Sequence, residues 1–406
     1  MPKIKNVAVN ILEYALMLST VLYSAVLSLY TSAQSNTFAR VGMAILAVLI
    51  IINIKKINFA VLKKMLFFGT IFLVFMVFTR YNLVRCTLYF AGLFLLMLLY
   101  TMLKERPDGS FDLILKLSDI MSVLSVISVF FYLFGTLLNL IPFLKGEATY
   151  MWGDEQRVVT HYLSLMYEAQ DVEIFGVNML RNCSIFPEAP GFAAYLSVSL
   201  AGEMFIRKKL RYFNIVALCL GAVSSLSAKA ILLMALCFVL YFVFKNSQNK
   251  KATIIRAVLV FVPAFIFAAV IILDKMQSYS FFIRLDDLFA SLKTFSENIL
   301  FGSGYYNNES IIKNFSYEFR ANDGLSMGLA VLLAQGGLYM FFFYIFSLVK
   351  GVICSADKIK TTLFAVIFLG MLFITNIPFG MITLLILAVF LESGSYGFYN
   401  KLLRKK

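Results

Sequence analysis

The chain alternates between long apolar runs and short polar clusters. A helix needs about 20 residues to cross a hydrocarbon core about 30 Å thick, and roughly 17–25 are tolerated. Apolar runs that approach this length lie at 9–30, 39–54, 65–79, 86–102, 117–142, 189–206, 213–227, 230–244, 257–273, 325–349, 361–376 and 378–391. They are continuous rather than alternating, which argues against a membrane barrel. Helices also satisfy every backbone polar group within one segment, as lipid demands. The pattern predicts an all-α integral membrane protein of about twelve transmembrane helices, built as one polytopic domain over 1–406.

One stretch does not fit a simple count. The 32 residues of 213–244 would make a helix of about 48 Å at 1.5 Å per residue. That is too long for one span and too short for two full ones. The expected answer is a hairpin of short helices turning at Ser224-Ser225-Leu226-Ser227-Ala228-Lys229. Two segments between runs are long, 143–188 and 274–324. Each carries a helical pattern predicting a short surface helix. Val158, Val159, Tyr162, Leu165 and Met166 share a face in 155–168. Leu285, Leu288, Phe289, Leu292, Phe295 and Ile299 share one in 285–300, which Gly302-Ser303-Gly304 terminates. The first apolar run follows Met1-Pro2-Lys3-Ile4-Lys5 and is longer than the core of a signal peptide, so it is expected to stay as a span.

Composition agrees: 61% of residues are hydrophobic and 14% charged, with 42 Phe. These values exclude a soluble enzyme and a disordered regulator. The net charge of +14 does not indicate a nucleic-acid partner, because Lys and Arg sit in small groups between apolar runs rather than on one amphipathic face. With the amino terminus cytoplasmic, 24 of the 36 basic residues fall on the cytoplasmic side. That is the positive-inside pattern. It predicts both termini cytoplasmic and both long segments outside. Five cysteines and the single His161 offer no zinc spacing, and no cofactor or metal motif is present.

Candidate chemistry lies on the outer side. Arg181, Glu188, Arg284, Asp286, Asp287, Arg320 and Asp323 fall near predicted span ends. An arginine fork suits phosphate oxygens, although lipid headgroups or neighbouring acids would use it equally. Lys229, on the short hairpin, is expected within the bundle, either as an anion-binding ammonium facing a cavity or as a snorkelling side chain. Asp286-Asp287 suits the positive end of a helix better than a metal. Glu13 and Asp119 are expected to reach the opposite, cytoplasmic interface.

Four segments in order resemble the O-antigen polymerase and ligase superfamily. Arg181-Asn182-Cys183-Ser184-Ile185-Phe186-Pro187-Glu188-Ala189-Pro190-Gly191 resembles its stretch of Arg followed by Phe-x-Glu-Pro. Leu226-Ser227-Ala228-Lys229-Ala230 looks like its serine-containing turn between short spans. Arg284-Leu285-Asp286-Asp287, followed by Phe301-Gly302-Ser303-Gly304, and then Asn322-Asp323-Gly324 before Gly336-Gly337, complete the likeness over about 181–345. Two departures stand out: Ala189 separates Glu188 from Pro190, and Asp323 stands where the ligase branch tends to have His. The second favours a polymerase of repeat units. The resemblance implies a metal-independent glycosyltransferase without a cofactor. It would join undecaprenyl-diphosphate-linked glycans at the outer face of a bacterial cytoplasmic membrane, towards O-antigen or capsule. It implies Arg181, Lys229, Arg284 and Arg320 at the diphosphate. Arg181 and Arg284 would stabilise the leaving group, and Glu188 or Asp323 would accept a proton. A flippase and a chain-length regulator would be its partners. A ligase and a lipid-linked oligosaccharide transporter are the other readings; long outer loops bearing arginines favour the enzyme.

Overall fold

The computed structural model describes residues 2–25, 32–104, 111–152, 155–163, 165–168, 170–174, 177–244, 279–316 and 324–392, with positions 255, 259, 269, 273 and 276. Helices cover every predicted apolar run except 257–273, which lies almost wholly outside the described residues. In chain order they are α1 (Pro2–Ala25), α2 (Ser32–Ile52), α3 (Phe59–Thr79), α4 (Leu83–Leu103), α5 (Asp112–Leu137), α6 (Ala189–Ile206), α7 (Tyr212–Ser224), α8 (Ala228–Phe244), α9 (Tyr279–Glu297), α10 (Glu309–Ile312), α11 (Gly328–Cys354), α12 (Lys358–Ile374) and α13 (Met381–Glu392). Among the described residues, six are long and apolar enough to cross a membrane: the Asn6–Ser24 part of α1, and α3, α4, α5, α6 and α11.

Local chemistry sets the boundaries. Asn58 accepts from the Val61 amide at 3.0 Å to start α3, and Arg80 ends it in the left-handed region. Asp357 accepts from the Lys360 amide at 3.1 Å to start α12. Pro190 sits in the first turn of α6, where its missing N–H costs nothing. The short hairpin is present as α7 and α8, joined through 225–227. The helix expected over 285–300 is α9. The phenylalanines build the core: the ring of Phe72 lies 5.0, 5.1 and 5.5 Å from Phe90, Phe94 and Phe343, tying α3, α4 and α11 together.

The first long segment is not helical. In place of the surface helix expected over 155–168 there are strands β1 (Lys145–Trp152), β2 (Glu155–Tyr162) and β3 (Met166–Glu168) in one antiparallel sheet. A second hairpin pairs β4 (Asp171–Ile174) with β5 (Val177–Leu180). Trp152 pairs with Glu155 and Lys145 with Tyr162. The reason is readable in the residues: Val158-Val159-Thr160-His161-Tyr162 is a β-branched and aromatic run, and only Gly153-Asp154 separates the two strands. Helical spacing of five apolar residues was the weaker signal. Tyr162 anchors the sheet to the bundle, stacked on Phe131 at 5.5 Å, where a side chain at Gly135 would collide with its ring.

Helix α11 is broken at Gly337, whose φ of 61° is left-handed. The loop after α9 docks into the break. Ser303 N donates to Ala334 O at 2.8 Å and Gly304 N to Gln335 O at 3.0 Å. Leu338 N and Tyr339 N donate back to Ile299 O and Leu300 O. Any Cβ at Gly302 would strike the Gln335 backbone, and one at Gly337 would strike Leu300 O. Only glycine allows this approach, so Gly302-Ser303-Gly304 and Gly336-Gly337 form one structural device.

At the Ile206 end of α6 Asp119 is partly exposed, whereas Glu13, expected to reach the interface, does not reach it. Glu13 is fully buried, 2.7 Å from Lys104 and 3.0 Å from Lys116, and accepts from Tyr100. Asp112 lies on the same two lysines. Asp119 is held by Arg207 at 2.7 Å and by Arg211, Asn214 and Tyr14 at 3.0 Å, while Arg207 also pairs with buried Glu203 at 2.6 Å. Carboxylates placed inside a bundle must find cations. Apolar periodicity alone could not show that Lys104, Lys116 and Arg207 would come to meet them.

Candidate functional site

The site forms at the other end of α6, where three segments distant in sequence are stitched together. The stretch 181–188 enters α6 and lies along the α7–α8 turn. Asn182 N donates to Ser224 O at 3.2 Å, and its side-chain amide donates to Ser224 Oγ at 2.9 Å and Ser128 Oγ at 3.2 Å. Arg181 Nε donates to Ser225 O at 3.2 Å, and its Nη1 donates to Gln170 Oε1 at 3.2 Å. Two non-glycine residues are left-handed here, Ser184 with φ 53° in the entry stretch and Leu226 with φ 47° in the turn. Such backbone persists only when neighbours over-determine it, and it gathers at functional sites.

The turn leads directly into Lys229, in the first turn of α8 and 7% exposed. No carboxylate among the described residues forms an ion pair with it. The charges that act on its ammonium are Arg284, Glu188, Arg181 and Asp287. Burial draws the Arg181 pKa below its ordinary value, opposed by Cys183 and Glu188, while the nearby charge of Arg284 adds to the lowering. Burial likewise lowers the pKa of Arg284, against Asp287 one turn further along α9. Both guanidinium groups remain cations, because their ordinary value lies above 12. Arg284 has no hydrogen-bond or ion-pair partner among the described residues.

Asp287 is the hinge pin of this corner. It is fully buried and accepts from Ser326 N at 2.8 Å and from Ser326 Oγ, which ties α9 to the entry of α11. Asp286, its neighbour, accepts from Ser316 N at 3.0 Å. Both acids hold backbone.

Four sequence candidates therefore come together: Arg181, Glu188, Lys229 and Arg284, with Asp287 joining them. Arg320 and Asp323 lie outside the described residues. The supporting residues Ser128 and Gln170 were not found by sequence reasoning, and Asn182 and Ser224 were placed in the entry stretch and the turn without their bond to each other. None of the five cysteines forms a disulfide. Chemically, the corner offers two guanidinium groups and one buried ammonium against a small number of carboxylates, an excess of positive charge in a poorly solvated place. That suits an anion with several oxygens. No protein-family model, curated protein or solved structure matches the chain.

Proposed function

We propose that the chain is a membrane glycosyltransferase. It polymerises undecaprenyl-diphosphate-linked oligosaccharide repeat units into O-antigen or capsule at the outer face of the bacterial cytoplasmic membrane. Twelve spans with cytoplasmic termini would set the Arg181 corner outward and the Glu13 network inward. The observation that supports this reading best is the gathering of Arg181, Lys229 and Arg284 from three separate segments, with Lys229 buried and lacking an ion pair among the described residues.

In the reaction, a hydroxyl of the acceptor repeat unit attacks the anomeric carbon of the donor glycan. A new glycosidic C–O bond forms and the bond to the diphosphate oxygen breaks. The hydroxyl proton passes to a carboxylate, for which Glu188 is the candidate. The undecaprenyl diphosphate leaves as an anion. Two forks and an ammonium meet its oxygens and stabilise the charge as it develops, and fixed charges in a dry site do this without reorganising.

Deleting the gene and resolving the surface glycan on a gel tests the reading. A ladder reduced to single repeats supports it. Full-length glycan that is no longer attached to its acceptor means a ligase, and intermediates trapped on the inner leaflet mean a transporter. Complementation with Lys229→Met should fail to restore the ladder while the protein accumulates normally in the membrane.

A further inference from the structure

A cavity of about 240 Å³ lies between the end of α1, the loop 305–308, the first turns of α11 and the turn 376–380. Among the described residues its lining carries no Lys, Arg, Asp or Glu. Its polar side chains include Tyr23, Ser24, Tyr305, Tyr306, Asn308 and Gln335. Gln335 is 1% exposed; its Nε2 donates to Asn308 Oδ1 at 2.9 Å, while its Oε1 is buried without a hydrogen-bond partner. Reversing both amides would leave the nitrogen end unmatched instead, so one polar end of Gln335 lacks a partner either way. A buried amide in that state costs free energy until something meets it.

The cavity is held open by the break in α11. The loop that bonds to the Ala334 and Gln335 carbonyls continues into Tyr305 and Tyr306. Tyr305 is fixed by stacking on Phe90 at 5.2 Å and by the edge of Phe379 at 5.2 Å. Tyr306, left-handed with φ 59°, is 52% exposed and lies 6.0 Å from Tyr305. Rigid rings, fixed amides and a described lining without charge select a ligand class. An anion finds no cation among the described lining residues. A lipid chain would leave the Gln335 amide unmet. A sugar ring offers both what is needed: C–H faces for aromatic rings, and hydroxyls that donate and accept. At about 30 Å³ per water, the volume holds roughly eight waters, on the order of one sugar ring.

We infer that this cavity is a saccharide subsite for a neutral sugar ring. That the ring belongs to the acceptor glycan rests on the glycosyltransferase reading above; that the cavity binds sugar does not. Val331, which lines the cavity, packs in one cluster with Ala290, one helical turn beyond Asp287 in α9. The subsite therefore adjoins the helix that carries Arg284.

The test is saturation-transfer NMR on the full chain in lipid nanodiscs. The probes are methyl glycosides of glucose, galactose, rhamnose and N-acetylglucosamine, with glucose 1-phosphate as the charged comparison. At least one neutral glycoside should bind, more tightly than the phosphate. Gln335→Met and Tyr306→Ala should each weaken it about tenfold, the loss expected for one buried hydrogen bond or one ring face. Lys360→Ala, at the far end of α12, should leave it within twofold. Tyr306 is exposed, so Tyr306→Ala decides the matter if Gln335→Met does not accumulate. Silence from every neutral glycoside, or unchanged binding in Tyr306→Ala, overturns the inference. Glycoside binding together with wild-type glycan length in Arg181→Ala and Arg284→Ala would overturn the transferase reading and leave the sugar site standing.

Discussion

Two charged regions sit at opposite ends of the same helices, and they are built on opposite rules. At the Ile206 end of α6, cations and carboxylates alternate. Glu13 meets Lys104 and Lys116, while Glu203 and Asp119 meet Arg207, and each contact is 3.0 Å or shorter. At the Glu188 end, Lys229 and Arg284 have no ion pair among the described residues, and each lies within the field of other cations. A bundle that buries charge for its own stability pairs it. Three cations gathered with two carboxylates, and without an ion pair of Lys229 or Arg284 among the described residues, are costly for the fold unless something else meets them. The difference teaches that burial of charge alone does not mark a site; an excess of one sign is the further signal.

The sharpest way to break this comparison is to remove the centre of the paired network. Glu13→Gln keeps the shape but leaves Lys104 and Lys116 sharing Asp112. Breaking a buried pair costs about 3–5 kcal/mol, a large part of a typical protein's stability. The variant should lose most of its monodisperse protein on mild heating, while any remaining folded molecules stay active. Undiminished stability would show that the network is ornamental. At the other end, Arg181→Ala and Arg284→Ala should each raise the reaction barrier by about 3–4 kcal/mol, as removal of an oxyanion donor does. That is roughly a hundredfold to a thousandfold in polymerisation rate, with an unchanged melting midpoint for Arg284→Ala and a lowered one for Arg181→Ala, which also loses its bonds to Ser225 O and Gln170. Wild-type glycan length in both variants at normal protein level would make these arginines headgroup anchors.

Much of this contrast was legible before the fold. Apolar periodicity placed the helices, and the short 213–244 hairpin followed from length alone, which put Lys229 near the bundle. The approach of Arg181 to that lysine depends on Asn182 bonding Ser128 and Ser224, and such contacts between a loop and two helices leave no periodic trace. The pairing of Glu13 was hidden for a different reason. A carboxylate in the middle of an apolar run reads as a position, and its partners Lys104 and Lys116 flank another segment boundary. Residues 155–168 misled because three of the five apolar residues at helical spacing, Val158, Val159 and Tyr162, fall within a single strand. The β-branched composition and the Gly153-Asp154 pair carried the decision.

A smaller effect sharpens the comparison through its sign. Lys229→Met replaces a buried ammonium that lacks an ion pair by an apolar chain of similar length. It should stabilise the unliganded fold by about 1–2 kcal/mol, within the range seen when buried charge gives way to packed apolar groups, even as polymerisation fails. Thermal unfolding in nanodiscs reads this directly. A destabilised Lys229→Met would mean that the ammonium has a structural partner, and the two regions would then follow one rule.

The smallest expected effect comes from an ion pair that belongs to neither region. Glu297, at the end of α9, lies 2.8 Å from Lys313, with the two side chains 37% and 55% exposed. The hydrogen bond from Lys313, helped by the charges of Lys313 and Lys293, holds the Glu297 pKa below its ordinary value against a slight opposing effect of burial. The sign follows: with a lowered folded-state pKa, the pair contributes above the ordinary carboxylate value near ~4.3 and is lost as pH falls through the lowered one. Water and salt screen it throughout. Lys313→Ala should therefore shift the unfolding midpoint barely at neutral pH, still less as pH falls below the ordinary carboxylate range, and not at all in ~0.5 M salt. The geometry of this pair matches that of Glu13 with Lys104, and only its exposure differs. If Lys313→Ala were as damaging as Glu13→Gln, burial would not be what gives the inner network its strength, and the contrast between paired and gathered charge would need another cause.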